Sequence, residues 1–155
     1  MKNLSAFIRY KYLTPVIFVL ALLLTNITGN RNAAISTTPI HINFIEDSFT
    51  EALKQAKLQN KYIFVDAYAS WCGPCKMLKN TTFTDDKAAA FYNSKFINVS
   101  IDMEKGQGPD LAAQWQIQAY PTLIIFNPNG KPVLGTVGFI NAADLIKFGK
   151  QALTK

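Results

Sequence analysis

Cys72 and Cys75 are the only cysteines in the 155 residues, three positions apart in Trp71-Cys72-Gly73-Pro74-Cys75. At that spacing two thiols can close a small disulfide ring and open it again. Two sulfurs cannot make a multi-bridge scaffold, and they are too few to complete a tetrahedral zinc site alone. The one histidine, His41, lies far upstream on an expected edge strand, where it reads as a surface residue and not as a ligand or a catalytic base. No metal and no cofactor are expected. Thiol–disulfide exchange remains, in which a thiolate attacks a disulfide sulfur. A disulfide without turnover, and a metal-carrying binding or metallochaperone module, are the blander alternatives.

An attacking cysteine works only as thiolate, so something must lower its pKa. The elements around the pair are suited to that. Residues 62–68 form an almost continuous apolar run, the mark of a strand buried on both faces, and residues 76–79 read as helix. Cys72 then stands between strand end and helix start, where unpaired N–H groups and partial positive charge favour an anion. Pro74 fits a first helical turn, and Gly73 leaves room for a partner's backbone. Cys75 falls one turn inside and is expected to be the more buried sulfur. Cys72 would attack and Cys75 would resolve the mixed disulfide.

The remaining elements follow from periodicity. Residues 40–44 alternate apolar and polar like a half-buried strand, and Ser48 with Glu51 makes a capping box for the next helix. A break at 81–84 leads to a helix over 85–92, then a strand over 96–101. Pro109 suits the first turn of a helix through residue 115. Residues 122–126 and 133–137, joined by Asn127-Pro128-Asn129-Gly130, predict a hairpin, and Asn141 caps a last amphipathic helix. The order β-α-β-α-β-α-β-β-α implies parallel strands early and antiparallel strands late.

Charge points away from nucleic acid. The net charge is +6, but Lys2, Arg9, Lys11 and Arg31 lie in the first 34 residues, which hold no acid. The rest carries twelve basic against ten acidic residues, without a basic cluster. The basic start, the apolar run at 16–24 and the polar exit describe an export signal or a retained membrane anchor over residues 1–34. A single domain at 35–155 on the far side of the membrane is expected, with residues 31–39 as linker. That side permits disulfides. Membrane contact would then run through the amino-terminal segment alone.

Asp66-Ala67-Tyr68-Ala69-Ser70-Trp71-Cys72-Gly73-Pro74-Cys75-Lys76 resembles the active-site stretch of thioredoxins. Tyr120-Pro121-Thr122 is similar to the family's cis-proline loop, and Val137-Gly138 to the glycine beside its substrate groove. Thr81-Thr82-Phe83-Thr84-Asp85 looks most like the periplasmic domain of transmembrane disulfide reductases of the DsbD type. The resemblance implies a thioredoxin fold, with a mixed sheet flanked by helices. It gives Asp66 the role of a buried carboxylate that exchanges a proton with Cys75. Trp71 would cover the sulfurs, and Tyr120, cis-Pro121 and Gly138 would line the site for an extended substrate. The expected activity is reduction of disulfides in exported proteins, with electrons from a membrane-embedded thiol-transfer partner; a disulfide oxidase or isomerase is the alternative. The chain departs from the family at Tyr68, where tryptophan is usual, and at Asn98, where a lysine commonly partners the carboxylate. Tyr120 is bulkier than the usual aliphatic residue.

Overall fold

The computed structural model describes residues 40–155. The export or anchor segment expected at 1–34 and the linker at 31–39 lie outside the described residues. In chain order the elements are β1 (Ile45–Glu46), α1 (Phe49–Gln59), β2 (Tyr62–Tyr68), α2 (Gly73–Met77), a π-helical turn (Leu78–Thr82), α3 (Asp86–Lys95), β3 (Phe96–Asp102), α4 (Gly108–Gln114), β4 (Thr122–Phe126), β5 (Pro132–Val137) and α5 (Ala142–Ala152). The strands lie in the order β1-β3-β2-β4-β5. β1, β3 and β2 run parallel, while β4 is antiparallel to β2 and β5 antiparallel to β4. This is the expected mixed sheet flanked by helices.

β2 sits in the middle of that sheet, and its apolar run is used on both faces. Ile63, Val65 and Ala67 belong to the core layer that holds Ala52 and Ala56 of α1. Phe64 points to the other layer, with Leu123, Ile125, Leu145 and Phe148, and meets the ring of Tyr92 at 4.5 Å. Every residue of β3 is buried. Helix starts follow side-chain capping: Ser48 Oγ accepts from the Glu51 N–H at 3.3 Å, and Asp85 Oδ1 from the Lys87 and Ala88 N–H groups at 3.0 and 2.9 Å. Asn141 Oδ1 accepts from the Asp144 N–H at 2.9 Å.

Two expectations are corrected. Residues 40–44 are not a strand; the ladder starts at Ile45. The alternation there is real, since Ile42 is buried and the Phe44 ring packs tilted against Phe83 at 5.1 Å. Its backbone, however, bonds elsewhere: the Ile42 N–H reaches the Phe83 carbonyl at 2.8 Å, and the Asn43 N–H the Asn93 side chain at 2.9 Å. α2 starts after Cys72 with Pro74 in its first turn, as expected, but residues 78–79, read as ordinary helix, belong to the π-helical turn, where the Phe83 N–H reaches back to the Leu78 carbonyl at 2.9 Å. The Thr81 hydroxyl, bonded to the Met77 carbonyl at 2.7 Å, further loads that turn.

Candidate active site

β2 ends at Tyr68, and four residues later Cys72 caps α2. Its backbone is extended, and its Sγ accepts from the Cys75 N–H at 3.2 Å. A sulfur at that position receives a helix N–H directly, which stabilises a thiolate when the pair is reduced. Pro74 lies in the first turn, and Cys75 on its inner side. The two cysteines are joined as a disulfide, with their Cα atoms 5.4 Å apart.

Both sulfurs are covered. Cys72 is 2% exposed and Cys75 6%, so Cys75 is not the more buried of the two, contrary to expectation. The cover is aromatic: Tyr68 and Tyr120 pack against the cluster of Ala69, Cys72 and Cys75. Trp71, expected over the sulfurs, is 67% exposed and meets Tyr120 edge-on at 6.1 Å. Its indole Nε1–H donates to Glu104 Oε2 at 2.8 Å. Bulky Tyr120 therefore takes a large share of the covering expected of Trp71.

The Tyr120–Pro121 peptide bond is cis, as the resemblance implies. The Pro121 carbonyl accepts from the Gly138 N–H at 2.8 Å, which ties the proline loop to the end of β5. Gly138 has φ +94°, a left-handed conformation that glycine adopts without strain, and space lies open where a Cβ would stand. Gly73 is likewise exposed with open space around it. Pairwise contacts thus link Cys72, Tyr120 and Trp71, and the proline loop to Gly138, with Gly73 and Pro74 following Cys72 in the chain.

Asp66 is on β2, on the inner side of the disulfide. Its Oδ2 accepts from the Ser100 hydroxyl at 3.1 Å, and Oδ1 is buried with no hydrogen-bond partner among the described residues. Burial pushes its pKa up to about 7; the Ser100 bond and Lys79 oppose this, and Glu46 adds to it. A cavity of about 220 Å³ opens between Asp66, Ser100, Cys75 and Lys79, roomy enough to hold water between carboxylate and sulfur. A carboxyl near neutrality, joined by such a cavity to the Cys75 sulfur, can take or return a proton at physiological pH.

Asn98, which stands where the family's lysine commonly partners the carboxylate, makes no hydrogen bond to Asp66 among the described residues; its amide donates to the Asn43 carbonyl and to Asn93 Oδ1, both at 3.2 Å. The parallel register instead sets Asp66 opposite Ser100. Lys79, four residues after Cys75 on the same helical face, is a further neighbour of the carboxylate that the sequence reading missed, although that spacing was visible. Glu104 left no signal, because a loop after β3 brings it to Trp71. His41 is exposed and away from the sulfurs, beside Glu46 and Lys79 in a neighbouring hollow.

Comparison with known proteins agrees with this geometry. Residues 49–153 match the thioredoxin-like domain family. A thioredoxin of Staphylococcus aureus is 36% identical over 90 residues, covering 58% of this chain and 81% of that protein. Among solved structures, a Bacteroides thetaiotaomicron protein described as a disulphide-isomerase is 42% identical, with a TM-score of 0.65, and the match covers 73% of this chain and 93% of that one. A thioredoxin from Thermus thermophilus, 19% identical with a TM-score of 0.66, covers 74% of this chain and 90% of its own, and shares the fold. By its sequence match, its mixed sheet and its Cys72–Cys75 disulfide at a helix start, the chain belongs to the thioredoxin superfamily, whose shared chemistry makes it a thiol–disulfide oxidoreductase.

Proposed function

We propose that the protein reduces disulfides in exported proteins. The observation that carries the reading is the cavity that joins Asp66, with a pKa near neutrality, to Cys75 behind the sulfur that caps α2. In the dithiol form Cys72 attacks as thiolate. Its sulfur bonds to one sulfur of the substrate disulfide, and the other substrate sulfur leaves as thiolate and takes up a proton. Cys75 then gives its proton to Asp66 and attacks Cys72 Sγ. The mixed disulfide breaks, the Cys72–Cys75 bond forms, and the second substrate thiolate departs. Two electrons pass to the substrate, and the protein is left oxidised. A membrane-embedded dithiol carrier would restore the reduced form, and the basic, acid-free amino terminus is consistent with work outside the cytosol.

The test is trapping. Cys75→Ser should accumulate mixed disulfides in the cell envelope, while Cys72→Ser should form none and lose protein-disulfide reduction. Accumulation on Cys72→Ser instead would reverse the assignment. An isomerase reading is favoured by the likeness to the Bacteroides thetaiotaomicron protein, described as a disulphide-isomerase. It predicts efficient rescue of a scrambled disulfide protein by the enzyme without a supplied electron donor.

A further inference from the structure

The nucleophile of the proposed reaction is buried beneath an aromatic cover, and the structure shows what fastens that cover. Tyr120 packs on the cysteines, Trp71 stands edge-on to Tyr120, and the Trp71 Nε1–H is held by Glu104 Oε2. Glu104 also lies near enough to the Tyr120 hydroxyl to add, after burial, to the rise of its pKa. The residues on either side of Glu104 are themselves fixed. The Met103 N–H donates to the Tyr68 carbonyl at 2.8 Å, and Lys105 pairs with buried Asp102 at 2.7 Å. The Glu104 N–H donates to Asp102 Oδ1 at 3.1 Å. A carboxylate on a braced loop therefore grips the outermost ring of the cover.

We propose that Glu104 is a positioning residue that latches Trp71, and through it Tyr120, over Cys72, so that access to the attacking sulfur is set by one hydrogen bond from the loop after β3. The inference rests on the reading that Cys72 attacks. The bond is exposed and breakable, so the latch holds the cover against water and small reagents. A protein substrate that brings its own contacts to Trp71 opens it.

Alkylation of the reduced protein by iodoacetamide tests this, with labelled peptides identified by mass and the rate followed against pH. The Cys72 thiolate attacks the methylene carbon, a sulfur–carbon bond forms and iodide leaves, so no further reactant is needed. The midpoint of the profile reports thiolate formation, and the plateau at high pH reports access. Glu104→Ala should raise the plateau about two- to tenfold, the factor one net hydrogen bond is worth, with the midpoint unmoved. Glu104→Gln keeps an acceptor oxygen and should restore the wild-type plateau. Trp71→Phe keeps a ring but loses the N–H, and adding Glu104→Ala to it should raise the plateau no further.

A shifted midpoint with an unchanged plateau would make Glu104 an electrostatic influence and overturn the latch. So would a Glu104→Gln that behaves as Glu104→Ala, or full additivity with Trp71→Phe. Preferential labelling of Cys75 in the wild type would instead overturn the assignment of Cys72 as attacker. Cys72 labelled first, at equal plateau rates in all variants, would sink the latch alone.

Discussion

At Asp66 a carboxyl group is kept in a place that opposes its charge. Among the described residues only Ser100 bonds it, and burial lifts its pKa from 3.8 to about 7. A carboxyl whose folded pKa lies above its unfolded one binds more protons when folded. Its contribution to stability is full below the unfolded value and is lost as pH rises through the folded value, here between about 4 and 7. The loss is on the order of 4 kcal/mol at one pKa unit per 1.36 kcal/mol. Asp66→Asn should therefore stabilise the oxidised protein at pH 8 by about 1–3 kcal/mol, less than the full loss because a buried amide also seeks partners. At pH 4 its stability should lie close to that of the wild type. Denaturant unfolding at the two pH values measures the difference, and an equal effect at both would show that ionisation is not the cause. The same substitution should slow resolution of the mixed disulfide by about 10²-fold or more, because it removes the proton acceptor of the proposed reaction. Stopped-flow measurement of the single turnover reads that rate. Asp66 was legible through the resemblance of its stretch to the thioredoxin active site. Ser100 was not, since only the pairing register reveals which residue of β3 lies opposite.

The elements show where periodicity and capping suffice and where they do not. β2, the start of α2, β4, the Asn127–Gly130 turn and α5 were readable because each is marked locally, by an apolar run, a cap or a turn residue. The 40–44 segment has the alternation of a strand, yet its hydrogen-bond partners are a loop carbonyl and an asparagine side chain, which no local pattern specifies. The π-helical turn after α2 left no signal of its own. Its consequence is that the chain reaches Asp85 at the cap of α3 while Thr82, buried, bonds the Ile140 carbonyl at 2.7 Å. One glycine has a meaning visible only in three dimensions. A Cβ on Gly108, at the start of α4, would lie 2.0 Å from the Asp102 carbonyl oxygen and 2.6 Å from Met103 Cα. Both are backbone atoms of the turn that leads to Glu104, so they cannot swing aside as a side chain could. Gly108→Ala should destabilise the fold by about 1–3 kcal/mol or somewhat more, with a lower melting temperature. It should also weaken the Trp71–Glu104 bond, read as a change in Trp71 fluorescence in a Trp115→Phe background. An unchanged melting temperature would mean that α4 can move off β3 at little cost.

For the whole molecule the open question is the direction in which electrons flow, and charge around the disulfide is what decides it. A helix start under the attacking sulfur is shared by reducing and oxidising proteins of this kind. Oxidants differ in stabilising the thiolate form much further, which favours the reduced state. Reducing and strongly oxidising couples lie about 150 mV apart, or about 7 kcal/mol. Exposed charges near a site contribute about 1 kcal/mol or less each, so a difference of that size needs several buried or directly bonded donors aimed at the sulfur. Among the described residues one such contact is present, from the Cys75 N–H. Gly73 and Pro74 put no cation or histidine between the cysteines. Lys76 and Lys79 line the cavity on the Cys75 side, but both are exposed and contribute little to the Cys72 sulfur. The expected potential is about −250 mV, near the reducing end of the range. Equilibration of the protein in glutathione buffers of graded composition, with the dithiol fraction counted by alkylation, measures it. A value above about −180 mV would transfer the chain to the isomerase reading that its Bacteroides thetaiotaomicron relative suggests, because the disulfide would then be too readily reduced for a donor of electrons to exported proteins.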